Sequence, residues 1–153
     1  MSAAPSQAYL KSKVLTASPA ELRLLLLDGA IRFAEQARSA YETRDFERSY
    51  EGTTKCQAIL TELMCSLRPE REPELCSRLA ALYTYMYRRL VEASSNKSYT
   101  EVEEVIRLLR YERETWTMAM TVAGKAANDT TSGVSGFDSQ ASNGTASRIS
   151  LQG

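Results

Sequence analysis

The amino-acid sequence predicts an all-α protein: an antiparallel up-down-up-down four-helix bundle with a short N-terminal arm and a disordered C-terminal tail. Two observations lead to this prediction. Between residues 19 and 123 the chain has only two glycines and three prolines, and its apolar residues recur at helical rather than strand spacing. Four segments of about 20 residues are joined by links of about four to six. Links this short force consecutive helices to run antiparallel.

The first two helices have clear start signals. Ser18 is a candidate N-cap residue, and Glu21 completes a capping box three residues later. Pro19 suits the first helical position, because its missing N–H would be unpaired there in any case. Asp45 is an equally good N-cap residue for the second helix.

The third and fourth helices are separated from their neighbours by breaks. The proline-containing stretch 68–73 ends the second helix, and Pro73 then begins the third. Residues 95–97 form the next turn, after which either Ser98 or Thr100 supplies the cap of the fourth helix. The four predicted helices span about 18–41, 45–67, 73–94 and 98–123.

Composition sets the boundaries of the bundle. Residues 124–153 contain five of the seven glycines, many Ser, Thr and Asn residues, and only four sizeable apolar side chains. Such a segment cannot bury enough apolar surface to offset the entropy lost on ordering it. We therefore expect an N-terminal arm over residues 1–17, the bundle over 18–123 and a disordered tail over 124–153.

Charge and residue usage exclude several classes of function. The 19 basic and 19 acidic residues cancel, which argues against a broad nucleic-acid-binding surface and against a polybasic membrane-surface protein. The chain has no histidine, the commonest general base and metal ligand, so no metal or cofactor site is expected. Cys56, Cys65 and Cys76 have no paired spacing, and we expect buried thiols in a reducing compartment.

The remaining candidates for chemistry are weak. The acidic pairs Glu103–Glu104 and Glu112 with Glu114 are expected to be solvated carboxylates near arginines rather than a catalytic pair, so an enzyme is not predicted. The longest purely apolar run, Leu24–Leu27, is far too short to span a membrane. No secretory signal is visible at the N-terminus. A cytosolic protein without membrane insertion is therefore expected.

The apolar faces of the first and third helices are wider than a bundle core requires. On the first helix the apolar arc covers roughly 200°, where an ordinary core-facing stripe is a little over 100°. Tyr83, Tyr85 and Tyr87 alternate on the third helix, so they cannot all face one core. Either the bundle itself covers the extra surface, or it is covered by the arm, a second copy or a partner helix.

The arm carries apolar side chains of its own, Tyr9, Leu10, Val14 and Leu15. They could cover the exposed arc until a partner displaces them, or Val14 and Leu15 could simply staple the start of the first helix. The residues that we predict to contact a partner are Tyr9, Leu10, Val14, Leu15, Leu24, Leu27, Ile31, Tyr83 and Tyr87.

Several blocks of the sequence resemble one family in the right order. The run from Val14 through Leu22 reads V-L-T-A-S-P-A-E-L, and 26–31 reads L-L-D-G-A-I. The block 82–93, L-Y-T-Y-M-Y-R-R-L-V-E-A, and the block 55–63, K-C-Q-A-I-L-T-E-L, are similar to the third and second helices of the same family. With Tyr9 and Trp116, they resemble the flagellar secretion chaperone FliS family over about residues 9–120.

The resemblance implies a function. FliS proteins bind the disordered C-terminal segment of flagellin in the cytosol, prevent its premature polymerisation and deliver it to the flagellar type III export apparatus. The expected partners are therefore flagellin and that apparatus, with the chaperone a monomer or weak dimer when free. The alternative is a non-catalytic four-helix adaptor or homodimerisation module, which would stay dimeric without a client.

Overall fold

The computed structural model describes residues 6–150, with side chains described as far as residue 131, and every regular element in this range is helical. This result confirms the predicted all-α class. The chain divides into two units, one ending at Thr115 and the other beginning at Trp116, and all the bundle contacts described below lie within the first. The helices are α1 Gln7–Thr16, α2 Pro19–Glu42, α3 Phe46–Cys65, α4 Pro73–Asn96 and α5 Thr100–Ser150.

Helix α2 begins with the predicted capping box. The Glu21 backbone N–H donates to Ser18 Oγ over 3.2 Å, and the Ser18 N–H donates to Glu21 Oε2 over 3.0 Å. Pro19 occupies the first turn, where no N–H is required. The two orphan N–H groups are therefore satisfied by side chains, which stabilises the start of the helix.

The later helix starts also follow the sequence signals. Asp45 caps α3 by accepting a hydrogen bond from the Arg48 N–H over 3.2 Å, and Pro73 is the first residue of α4. Of the two caps predicted for α5, the Ser98 hydroxyl contacts the backbone, accepting from the Thr100 N–H over 3.2 Å. Each of these helices begins within two residues of its predicted start.

Cross-helix contacts show that α2 to α5 form the predicted antiparallel bundle. Helices α3 and α4 are joined by Gln57 Nε2, which donates to the Tyr87 carbonyl oxygen over 3.4 Å. Helices α4 and α5 are joined by Arg89 and Glu104 at 2.7 Å. Helix α5 returns to α2 through Arg38 and Glu103 at 2.8 Å. A second contact in each pair gives the direction: Met64 meets Thr84 between α3 and α4, Tyr83 meets Glu112 between α4 and α5, and Asp28 meets Arg113 between α2 and α5. In each pair the residue number rises along one helix as it falls along the other, so the paired helices run in opposite directions.

Helices α2 and α3 approach closely because Gly52 has no side chain. A Cβ atom at this position would lie 2.8 Å from the Phe33 carbonyl oxygen and 2.9 Å from the Ala37 nitrogen. Gly29 faces Ile59 in a similar way, with 3.1 Å from an added Cβ to Ile59 Cδ1. Gly29 therefore marks close helix packing inside α2 rather than a turn.

The core is built from all four bundle helices. Helix α2 contributes mainly small side chains, which suits its close approach to α3, and the other helices contribute larger ones. The fully buried residues are Leu27, Ala30, Ala34, Ala37, Cys56, Leu60, Leu63, Tyr83, Met86, Leu90, Ala93, Val102, Val105 and Leu109.

Three features differ from the sequence-based expectations. The arm contains a helix of its own, α1, whose N-cap Ser6 accepts a hydrogen bond from the Tyr9 N–H over 3.2 Å. Cys65 is exposed and Cys76 half-buried, so only Cys56 is the fully buried thiol that was expected. Helix α5 does not end near Ala123, because Gly124 keeps a helical backbone and no proline follows to break it.

The predicted disordered tail, residues 124–153, lies only partly within the described residues. Residues 124–131 expose every side chain, as expected of a segment with few apolar residues. The side chains of 132–150 and the whole of 151–153 lie outside the described residues. Within residues 6–150 no helix combines the length and apolar character needed to cross a membrane.

A candidate partner-binding surface

Helix α1 covers a cavity of about 310 Å³ against α2 and α3. From α1 the cavity is lined by Tyr9, Leu10, Lys13 and Val14. These residues recur about one helical turn apart, so they share one face of the helix. The opposite wall is formed mainly by α2 residues, with one contribution from α3, and it is mostly apolar although the charged Asp28 and Arg32 also line it. Its uncharged residues are Leu22, Leu25, Leu26, Gly29 and Ile59.

The cover provided by α1 is loose. This helix has no buried residue, and Tyr9 and Val14 remain 53% and 47% exposed although both line the cavity. Leu15 is 76% exposed. Little apolar area is therefore removed from water when α1 docks, so its contact with the bundle is weak compared with that of a core helix.

A second apolar groove, of about 640 Å³, lies between α3 and α4. Met64 and Thr61 line it from α3, and Tyr87 and Val91 from α4. Val91 is 50% exposed, and Tyr87 is exposed as well. Because no described residue covers these side chains, this groove is open surface that a partner could bury.

Two of the predicted partner-contacting residues lie elsewhere. Leu24 and Ile31 are half-buried and line neither groove. By helical periodicity they share a face of α2 with Asp28 and Glu35, whose ion-pair partners are on α5. Leu24 and Ile31 therefore lie beside the seam between α2 and α5.

Leu27 and Tyr83 are corrected from surface to core residues. Both side chains are completely buried, so neither can contact a partner in this conformation. A helical wheel shows the width of an apolar arc but not which part of it the neighbouring helices cover. Tyr87, four residues after Tyr83, is the tyrosine of the pair that reaches the surface.

Tyr83 is buried in a polar network that joins several helices. Its hydroxyl donates to Glu112 Oε1 on α5 and accepts from Arg23 Nη2 on α2. The Arg23 guanidinium also pairs with Glu112 Oε1 at 3.2 Å. Arg23 Nη1 reaches Ser66 Oγ, the C-cap residue of α3, over 3.5 Å. One guanidinium therefore touches the other three helices of the bundle.

Glu112 corrects the expectation that this carboxylate is solvated. The residue is only 8% exposed, and burial raises its pKa, against the opposing effects of Tyr83 and Arg23. The apolar spacing of α5 in the sequence already indicated that Glu112 lies on the buried face. Val102, Val105 and Leu109 form the buried stripe of α5, and its next position is Glu112.

The other acidic residues behave largely as expected. Glu103 and Glu104 pair with Arg38 and Arg89 near the surface. Among the described residues there is no cluster of three or more potential metal-ligating side chains. The candidate partner-binding surface consists of the two apolar grooves described above, one under α1 and one between α3 and α4.

Two comparisons with known proteins point to one family. A family model described as the flagellar protein FliS matches residues 1–123. The flagellar secretion chaperone FliS of Bacillus subtilis is 38% identical over 116 residues, covering 76% of this chain and 86% of that protein. The FliS proteins of Salmonella typhimurium and Escherichia coli are each 34% identical, covering 72% of this chain and 83% and 85% of those proteins.

The fold and the grooves define a helical-bundle protein whose surface suits the binding of apolar helical segments. The match over residues 1–123 is more specific. The chain belongs to the FliS family of flagellar secretion chaperones. The matched region ends where the composition changes, so residues 124–153 lie beyond it.

Proposed function

We propose that this protein is a cytosolic, non-enzymatic flagellar export chaperone for flagellin. It binds the disordered C-terminal segment of flagellin, prevents premature polymerisation and delivers the subunit to the flagellar type III export apparatus. The names of the relatives support a role in flagellar secretion. The observation that carries the proposal is the pair of apolar grooves, one weakly covered by α1 and the other open.

The cavity under α1 is the proposed client site. Leu22, Leu25 and Leu26 supply an apolar wall, and Ile59 extends it onto α3. A client helix that buries its apolar side chains here replaces the weak contacts of α1 with a larger area. In the free protein α1 partly shields this wall from water and from other copies, and the client displaces α1 on binding.

The groove between α3 and α4 is the proposed second contact for the same client. Its α4 wall extends from Thr84 to Glu92, which spans about 12 Å at the helical rise of about 1.5 Å per residue. This length suits about two turns of a bound helix. A disordered client can reach both grooves, because an unfolded chain wraps a large surface as it folds.

Coupled folding also accounts for release. Ordering the client opposes part of the gross interaction, by roughly 2–5 kcal/mol or more. A large apolar contact therefore yields only moderate net affinity, which suits a chaperone that must surrender its cargo.

Titration of this protein with full-length and C-terminally truncated flagellin tests the proposal. We expect one-to-one binding to the full-length protein and loss of binding to the truncated one. Equal affinity for both would contradict the assigned client segment. A dimer that persists at low concentration without flagellin would instead favour a homodimerisation module, and size exclusion over a concentration series detects it.

A further inference from the structure

Arg88 is a charged residue in the otherwise largely apolar groove between α3 and α4. It is exposed, and it lines the groove together with Tyr87 and Val91 of the same helix and Met64 of α3. Val91 follows Arg88 by three residues, so the two side chains lie about one helical turn apart on one face. A helix that covers the apolar residues of this groove therefore also approaches the guanidinium group.

The charge of Arg88 is not balanced within the groove. Glu92 lies four residues after Arg88, at the spacing of a helical ion pair, and lines the same groove. The Glu92 carboxylate instead accepts from Arg89 Nη1, and Arg89 also donates to Glu104 Oε2 on α5 over 2.7 Å. Among the residues whose side chains the structure describes, none forms a hydrogen bond or ion pair with Arg88. The Arg88 guanidinium is therefore available to a partner.

A purely apolar segment that covered the groove would destabilise this charge. The guanidinium faces water in the free protein, and a docked helix removes part of that water. A carboxylate on the docked helix replaces the lost hydrogen bonds and balances the charge, since a planar guanidinium can bind both carboxylate oxygens. A lysine or arginine at the same place adds repulsion between like charges. The groove thus distinguishes segments of equal hydrophobicity by their charge at one position.

We propose that the groove between α3 and α4 selects a helical client segment with a carboxylate beside its apolar residues, and that Arg88 pairs with this carboxylate. The inference rests on the proposed function, in which this groove is the second contact for flagellin. The apolar residues of the segment pack against Met64, Tyr87 and Val91. Its aspartate or glutamate lies about one helical turn from the residue that meets Val91. Arg88 is then a specificity-determining residue, and the apolar wall supplies most of the contact area.

Calorimetric titration of Arg88→Glu with full-length flagellin tests the proposal. Affinity should fall by about tenfold or more relative to the wild type, because an ion pair becomes two like charges. Arg78→Glu is the matched control, since Arg78 is an exposed arginine of the same helix that lines neither apolar groove. Its affinity should stay within about twofold of the wild type, because salt screens an exposed charge outside the contact. Equal affinities of the two variants would overturn the proposal.

Arg88→Gln tests the same pair without adding a negative charge, and it decides the matter even if Arg88→Glu does not fold. The wild-type pair is electrostatic, so added salt should weaken flagellin binding more for the wild type than for Arg88→Gln. Arg78→Gln should keep the wild-type salt dependence. The same salt dependence in all three proteins would refute an ion pair at Arg88.

Charge exchange with the client separates failure of this inference from failure of the proposed function. Aspartates and glutamates of the flagellin C-terminal segment are replaced by lysine one at a time. One replacement should weaken binding to the wild type and restore binding to Arg88→Glu, which shows that the two positions are coupled. If no replacement restores binding, the pairing is refuted while the proposed function stands. If wild-type protein does not bind flagellin at all, the proposed function fails and the pairing fails with it.

Discussion

The Tyr83 hydroxyl donates a hydrogen bond to Glu112 Oε1 in the interior of the bundle and joins α4 to α5. The same hydroxyl accepts from Arg23 on α2. A tyrosine here supplies both an apolar ring for the core and a donor for a buried carboxylate. Phenylalanine would fill the same space but leave Glu112 without this donor.

We therefore predict that Tyr83→Phe destabilises the bundle by about 1–3 kcal/mol, the range for a buried polar group that loses its partner. It should also raise the pKa of Glu112 further, because the Tyr83 hydrogen bond favours the ionised form. Urea denaturation measures the first effect. Tyr85→Phe is the control, since Tyr85 hydrogen-bonds to Glu104 at the exposed surface. Equal losses in the two variants would contradict a special role for Tyr83.

Gly52→Ala should also destabilise the bundle, by roughly 1–3 kcal/mol, because the new Cβ would meet backbone atoms of α2 that cannot move aside. Gly124 is a matched helical control, with nothing within 4 Å of an added Cβ. Gly124→Ala should be neutral or gain up to about 1 kcal/mol from helix propensity. Thermal melts of both variants measure the difference. A neutral Gly52→Ala would show that α2 and α3 can separate without loss.

These examples show why part of the molecule can be predicted from sequence. Caps such as Ser18 and Asp45 act through residues three positions away, so the chain itself carries the signal. The number and direction of the four bundle helices, α2 to α5, follow from these local signals and from short links. The exposure of Cys65 and the burial of Glu112 depend instead on which helix packs over each face, and a wheel holds no information about that.

The positions of the two grooves were predictable only in outline. Tyr9, Leu10, Val14 and Tyr87 line them, and contact of these residues with a partner stays a prediction. Leu27 and Tyr83 belonged to the same arcs but face the core. Helix α1 escaped prediction because its short polar sequence gives little amphipathic pattern, and its apolar face becomes evident only against α2.

Val91→Asp should weaken flagellin binding without unfolding the bundle. Val91 is half exposed in the groove between α3 and α4, so a carboxylate there is solvated in the free protein but must lose water when an apolar client binds. Val122→Asp is the matched control, an exposed valine outside this groove. Calorimetric titration with flagellin compares the two, and circular dichroism checks the fold. Unchanged affinity of Val91→Asp would remove this groove from the client site.

Deletion of residues 124–153 should leave the stability of the bundle within about 0.5 kcal/mol, since 124–131 are exposed and the family match ends at residue 123. The far-UV helical signal per molecule tests the tail separately. A disordered tail, as its composition predicts, contributes little helical signal, whereas a helix persisting to Ser150 contributes in proportion to its length. A fall of several degrees in melting temperature would contradict the stability prediction. It would indicate that Phe137, Ile149 or Leu151 packs on the bundle.

Removal of residues 1–12 separates two roles of the N-terminal arm. Tyr9 and Leu10 are lost with this deletion, whereas Val14 and Leu15 remain next to the Ser18 cap. If α1 covers the cavity, its apolar wall, including Leu22 and Leu26, becomes exposed. The truncated protein should then bind more hydrophobic dye, self-associate at lower concentration and show a changed affinity for flagellin. Affinity should rise if displacing α1 opposes binding, and it should fall if Tyr9 and Leu10 also contact the client. If the arm only staples the start of α2, none of these properties should change, because the staple residues are still present.

A double replacement of Tyr9 and Leu10 by serine in the full-length chain provides the control for chain length. Its dye binding and flagellin affinity should follow the deletion, since the apolar contacts rather than the presence of the arm close the cavity. A truncated protein that remains monomeric, with dye binding and affinity equal to those of the intact chain, would exclude the covering role.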